Sequence, residues 1–430
     1  MDHRAIGTLI LFTLFLLLLF LRVPIAFALG VASLVTAGYL HIPTLIIAER
    51  MVNGLNNFTF LAVPFFILAG QIMGEGGISD RLVRFADTLV GRFRGGLAQA
   101  NVVAGTMFGG ISGSSVADMA SVGAFLIPTM TRRGYRPGYS VAVTTTASVQ
   151  GVLIPPSQNM IYYALAAGGV SLEKLFLAGY IPGLLLGGML MLLAWIQAVR
   201  QGHPTGQRYT LSETIGIGAD AAVGLFTVVI IIGGIVLGIF TATESAAVAT
   251  VYAILVTGLI YRTMSFDRII VVLKKSFETL ATVVAIIMTS SAFGFLLAYL
   301  QIPKALADAI LSLSSSPIVA MLAINLLLLG LGMLMDMGVL ILLLTPILLP
   351  IAVKLGMSPI HFGIVMLINL GIGLCTPPVG TSLMVGCSIG KVDIEDVMRE
   401  IVPFYVAMVI VLALVISVPS LTMFLPGLVK

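Results

Sequence analysis

The chain is poor in charge. Only 9% of its 430 residues are Asp, Glu, Lys or Arg, against about 25% in an ordinary soluble domain. The formal net charge is +4, carried by scattered residues, which excludes a nucleic-acid surface and fits membrane topology better. There are two cysteines, Cys375 and Cys387, both in apolar sequence and without CxxC spacing. That excludes a disulfide framework and a thiolate metal site, and the pair reads as buried free thiols. His3, His41, His203 and His361 are far apart and show no ligand spacing. The one tryptophan, Trp195, reads as an interfacial aromatic near a span end.

What the chain has is hydrophobicity, at 59% of residues with a mean hydropathy of +1.13. That is an all-α polytopic membrane protein. Runs long enough to span fall at 5–21, 23–40, 58–75, 177–199, 218–239, 241–262, 281–300 and 401–427. The first, Ile6 to Phe20, lacks a strong basic n-region, and Arg22-Val23-Pro24 leads into further apolar sequence. It reads as a retained span and not a signal peptide. Segments 42–57 and 265–280 mix charge with apolar positions and read as amphipathic interfacial helices.

The remaining apolar sequence is punctuated, and the punctuation repeats. Pro128, Gly134, Pro137, Gly151, Pro155 and Pro156 recur 222 residues later as Pro350, Gly356, Pro359, Gly373, Pro377 and Pro378. Residues 98–130 and 317–353 are apolar but interrupted, at Gly109 to Gly113 and at Gly330 to Gly338, as re-entrant hairpins should be. Residues 138–169 and 360–390 each carry a Pro-Pro pair and read as discontinuous helices. The chain divides into two repeats, 1–216 and 217–430, each with scaffold spans, an arm helix, a hairpin and a broken helix. The first hairpin exits into Thr131-Arg132-Arg133-Gly134-Tyr135-Arg136 and the second into Val353-Lys354-Leu355-Gly356-Met357. The excess of arginine makes the first exit cytoplasmic, the repeats inverted and both termini periplasmic. Arg200 to Arg208 and Arg262, Arg268, Lys274 and Lys275 fall on that inner side. Repeats with broken helices meeting near the bilayer midplane are transporter architecture.

The breaks have the chemistry of ion sites. Gly109-Gly110-Ile111-Ser112-Gly113-Ser114-Ser115-Val116-Ala117-Asp118 combines exposed carbonyls, uncharged hydroxyls and a half-helix N-terminus near Ser114 suited to a carboxylate. Asp118 reads as a cap or pairing partner. The bland reading of this cluster is close helix packing; the second break in the same half, repeated in the other half, favours the ion site. Asp336 aligns with Ser114, and an acid at bilayer depth tends to be functional. Facing it, Gly371 to Thr381 supplies free carbonyls and the Thr376 hydroxyl, because proline removes donors. Ser157, Asn159 and Thr381 begin second half-helices and either meet substrate or cap those helices. Glu244, in a loop between spans, reads as an N-terminal helix cap.

In combination, Gly109 to Asp118, Pro155-Pro156-Ser157, Asp336, Thr376-Pro377-Pro378-Val379-Gly380 and Val63-Pro64-Phe65-Phe66 with Gly70 resemble the large membrane subunit of tripartite ATP-independent periplasmic (TRAP) transporters. The likeness runs over essentially the whole chain. It implies an elevator of the ion-transporter type and sodium-coupled import of organic acids, commonly carboxylates, across the inner membrane. It also implies a small membrane subunit and a periplasmic substrate-binding protein, and no cofactor beyond Na+ as coupling ion. Since no four-span extension precedes residue 1, the small subunit is expected as a separate polypeptide. Carried over by motif, a first sodium site falls on Ser112, Ser114 or Ser115 with the carbonyls of Gly151 and Ile154. The second falls on Gly332, Gly373, Thr376 and Val379, with Asp336 close by. Substrate contacts fall on Ser114, Ser157, Asn159 and Thr381. The chain departs from the family at Ser115, where alanine is usual, and at Gly338-Val339 after Asp336. The alternatives are an intramembrane enzyme and a channel. An enzyme needs a nucleophile–base pair or metal set, and the hairpin serines have no His or Lys near them in sequence. A channel does not account for two inverted breaks.

Overall fold

The computed structural model describes residues 3–207, 209–313 and 317–428, and among them every named element is a helix. Breakers set where helices end. α1 (His3–Phe20) and α2 (Ile25–Tyr39) turn at Arg22 and Pro24; α3 (Thr44–Asn53) and α4 (Ala62–Glu75) are parted by Gly54 to Asn57. α5 (Ile78–Val90) follows. α6 (Gly96–Ser112), the short α7 (Ser115–Asp118) and α8 (Ala124–Arg132) form the first hairpin, with a π turn over Met119–Gly123. α9 (Pro137–Ser148), α10 (Gln150–Leu153) and α11 (Gln158–Ala167) make one broken helix, and α12 (Leu172–Gln201) returns across.

The second half repeats the plan. α13 (Leu211–Val228) runs on through α14 (Gly234–Val236), followed by α15 (Ala242–Leu255), α16 (Phe266–Tyr299) and α17 (Ile302–Leu313). α18 (Pro317–Gly332) and α19 (Met337–Lys354) form the second hairpin, α20 (Pro359–Leu374) and α21 (Thr381–Gly390) the second broken helix, and α22 (Ile394–Ser417) and α23 (Ser420–Leu428) complete the fold. Eight helices among the described residues are long and apolar enough to cross a membrane. Glu244 caps α15 as expected: its carboxylate accepts from the Thr241 N–H at 2.8 Å, and its own N–H donates to Thr241 Oγ1.

Contacts establish the inverted topology. The first hairpin enters and leaves on one side: Gly95 N–H donates to Pro204 O at its entry, and Tyr135, at its exit, lies 4.6 Å from the His203 ring. Arg136, opening α9, pairs with Glu400 of α22 at 3.2 Å. At the opposite end, Tyr163 of α11 donates to Pro359 O, the start of α20, at 2.6 Å. His361 of α20 meets Thr422 of α23 at 2.7 Å. The two broken helices are therefore antiparallel. Between the two hairpin exits the chain crosses an odd number of times, through the first broken helix, α12, α13–α14, α15 and α16. The first limbs of the broken helices form the core, with every residue from Gly138 to Ser148 and from His361 to Leu374 buried. A helix buried all round carries no amphipathic stripe, which suits these apolar segments.

Three expectations need correction, and two helices went unmarked. Segment 265–280 is not a separate interfacial helix but the first half of α16, 34 residues long. Residues 266–299 hold no proline and a single glycine, Gly294, so nothing interrupts the hydrogen-bond ladder there. The run 401–427 is divided at Val418-Pro419 into α22 and α23, since proline cannot continue a helix. The first hairpin stays helical through Ser112 and breaks at Gly113-Ser114, later than Gly109 to Gly113. The helices that lead into the hairpins are α5 and α17, which the apolar runs do not mark because both are amphipathic. Arg208, grouped with the basic residues of its loop, lies outside the described residues.

Candidate functional site

The first hairpin tip is held against the first helix break by backbone contact. Gln158 N–H donates to Gly113 O at 3.2 Å, and Gln158 Nε2 donates to Ser112 O at 3.4 Å. Ser114 caps α7, accepting from Ala117 N–H at 3.5 Å. Ser112 Oγ donates to Asp118 Oδ1 and accepts from Ser114 N–H. Asp118 is buried, and no basic side chain pairs with it among the described residues. Its second oxygen, Oδ2, is buried without any partner. That oxygen points at Gly151, where an added Cβ would stand 2.3 Å away. Pro155 has no N–H to give the Gly151 carbonyl, so the break offers an acceptor at the same glycine that the uncompensated carboxylate oxygen approaches. An unpaired buried carboxylate is costly unless a cation or proton joins it, so the donor set suits a hard monovalent cation.

The second tip repeats the frame with different chemistry. Val379 N–H donates to Met333 O at 3.0 Å, tying the Pro377-Pro378 break to the hairpin. Gly373 approaches Gly332 so closely that a Cβ on it would stand 2.6 Å from the Gly332 carbonyl carbon and 2.7 Å from its oxygen. Thr376 Oγ1 donates to Ile372 O at 2.7 Å and lies within hydrogen-bonding reach of the Tyr405 hydroxyl. Asp336 caps α19 by accepting from Gly338 N–H at 2.9 Å, and it is exposed.

A cavity of about 480 Å³ lies between the two tips and the long helix α16. From the first half it takes Ser114, Asn159 and Tyr162; from the second, Asp336 and Gly338; from α16, Thr279 and Thr282. No Lys, Arg or His lines it, and Asp336 is its one formal charge. Ser114, Val116, Gln158 and Thr279 also border a second cavity of about 1030 Å³. This vestibule carries Arg81, Arg84, Arg268 and Lys275. It opens toward the arginine-rich end: α5 leads directly into the first hairpin there, and Tyr209 donates to Asp87 at 2.8 Å. Three of its bases are engaged. Arg81 pairs with Asp220 at 3.0 Å and lies over the Tyr261 ring, Lys275 pairs with Glu75, and Arg268 donates to Thr263 O.

The structure thus gathers Ser112, Ser114, Gly151 and Ile154 at one tip and Gly332, Gly373, Thr376 and Val379 at the other, with Ser114, Asn159 and Asp336 on the cavity wall. Ser115 is engaged otherwise: its hydroxyl meets Ser148 and Ser382, each at 2.8 Å, joining the tip to both broken helices. Ser157 and Thr381 do not line either of these cavities, and their hydroxyls are buried without partners. Neither makes a side-chain cap. Asp118, Gln158, Tyr162, Thr279 and Thr282 were not singled out for binding from the sequence. The one usable signal lay in α16, where Arg268, Lys275, Thr279, Thr282 and Ile286 share one helical face.

A family model described as the DctM component of the tripartite ATP-independent periplasmic transporter matches residues 12–421. The chain is 35% identical over 98% of its length to the C4-dicarboxylate TRAP transporter large permease protein DctM of Rhodobacter capsulatus, covering 99% of that protein. It is 39% identical to the sialic acid TRAP transporter large permease protein SiaM of Vibrio cholerae, over 89% of each chain. The solved YdaH transporter of Alcanivorax borkumensis superposes with a TM-score of 0.60 over 98% of both chains at 14% identity, a likeness of fold. The chain belongs to the DctM component family and is a transporter permease subunit, not an enzyme.

Proposed function

We propose that this permease imports an organic acid, probed first as a carboxylate, across the bacterial inner membrane by sodium symport. In this reading it works with a small membrane subunit and a periplasmic substrate-binding protein. The observation that carries it is the charge pattern of the deep cavity: Ser114 and Ser115 from the first tip and Asp336 from the second line it, and no Lys, Arg or His does. An anion entering there meets a like charge. Cations held at the tips reverse that field, which couples acid to sodium. One would sit among Ser112, Ser114, the Gly151 and Ile154 carbonyls and Asp118; the other among Gly332, Gly373, Thr376 and Val379.

An elevator fits the way the helices interlock. The hairpins and broken helices are knitted by Ser115 to Ser382 and Tyr163 to Pro359, and they move as one body past a wall built from α2, α4, α15 and α16. α5 and α17 connect the two parts. With the arginine-rich end in the cytoplasm, both termini are periplasmic and the vestibule opens inward.

Asp336→Asn and Thr376→Ala are each expected to cut sodium-dependent uptake about tenfold or more while leaving membrane insertion intact, the size of losing one charged contact. Uptake is measured in proteoliposomes with the partner proteins present. Unchanged sodium dependence in both variants removes the second site.

A further inference from the structure

We propose that the wall opposite the moving hairpins carries its own anion anchor, the N-terminus of α2. The proposal rests on the symport reading above and extends it to a part of the chain outside both candidate cation sites. Pro24, Ile25 and Ala26 line the deep cavity. Pro24 stands at the N-cap and gives no side-chain cap. Its carbonyl accepts from Phe27 N–H and Ala28 N–H, at 2.9 and 3.1 Å. The N–H groups of Ile25 and Ala26 form no hydrogen bond among the described residues. α2 is 15 residues long, so these free donors sit at the positive end of a full helix dipole.

A second observation points to a ligand at the same place. Asn159, on α11, lines the same cavity, is only 9% exposed, and its side-chain amide makes no hydrogen bond. Its donor and acceptor are therefore left for whatever occupies the cavity. Thr282, also on the wall, spends its hydroxyl proton on Glu278 O at 3.0 Å and leaves an acceptor facing the cavity. Two free N–H donors, an amide and a hydroxyl acceptor suit the carboxylate of a hydroxylated or keto acid. α2 packs chiefly on α1 and α16. The anchor therefore engages the acid only while the mobile body stands at the level seen here.

Proline tests this, because it removes one N–H at the first helical position without breaking the helix. Pro24 already has φ −53° and ψ 137°, the extended geometry a residue before proline prefers. Binding of succinate, pyruvate and gluconate to the purified transporter in sodium is measured by calorimetry. Ile25→Pro is expected to weaken the acid that binds best by about tenfold, and Ile25→Leu, which keeps the N–H, to weaken it by less. Ala26→Asp, which places a carboxylate over the free donors, is expected to abolish binding where Ala26→Asn does not. Affinities within twofold of the wild type in a folded Ile25→Pro, or in Ala26→Asp should the proline variant misfold, overturn the anchor. So does a wild type that binds none of the three acids. Sodium-driven uptake, run in parallel, separates the two ideas: its absence in the wild type sinks the symport reading, whereas its presence alongside normal variant binding sinks the anchor alone.

Discussion

Asp118→Asn is expected, under the sodium-symport proposal, to erase the thermal stabilisation sodium would give the protein and to raise half-saturating sodium for uptake by about tenfold or more. The reason is the oxygen Asp118 leaves unused. Oδ1 takes the Ser112 hydroxyl, while Oδ2 faces Gly151 with no donor near it. A ligand that binds only the folded state stabilises it in proportion to the logarithm of its concentration, so the wild type should gain in melting temperature when sodium replaces choline. Asparagine keeps the shape but puts a neutral amide where the cation needs charge. Without sodium the variant should be at least as stable as the wild type, because an uncompensated buried charge has gone. An equal sodium-dependent shift in variant and wild type would show that Asp118 is structural.

Gly373→Ala is expected to abolish uptake outright. The added methyl would meet the Gly332 carbonyl carbon at 2.6 Å and its oxygen at 2.7 Å, both backbone atoms that cannot swing aside. Relieving the clash moves the second tip off the break and separates the Gly332 carbonyl from Thr376 and Val379. Overpacking of this kind costs about 1–3 kcal/mol, which a large helical protein survives, so the loss should be functional while the protein still reaches the membrane. Gly330→Ala is the control: nothing lies within 4 Å of its would-be Cβ, and it should transport normally. Wild-type uptake in Gly373→Ala would mean the tip and break are not in contact during transport.

These two positions also show what sequence could and could not reveal. Gly373 was readable because a glycine kept in register with Gly151, ahead of a Pro-Pro pair, already marks a break. The hairpins and broken helices were legible for the same reason: proline and glycine act locally, and a repeat exposes them. Asp118 reads from the sequence as a cap or pairing partner, and it does pair with the Ser112 hydroxyl; its free oxygen beside Gly151 stayed hidden because the fold brings Gly151 to it from 33 residues away. The wall of the cavity stayed hidden for a similar reason. Pro24 sits where Arg22-Val23-Pro24 leads into further apolar sequence, Thr279 falls in segment 265–280 and Thr282 in the run 281–300, so nothing in the sequence joins them. Only the uninterrupted course of α16 carries the two threonines to the cavity. Ser115, a departure from the family pattern, proved to join three segments through Ser148 and Ser382, a contact across both halves that no local pattern encodes.

The measurement that bears most directly on the central claim is uptake by proteoliposomes holding this chain with the small membrane subunit proposed for it, supplied with acid-loaded binding protein. Accumulation above equilibrium is expected only when an inward sodium gradient and the binding protein are both present. Equilibrating flux in choline without the binding protein, or accumulation indifferent to sodium, would contradict it.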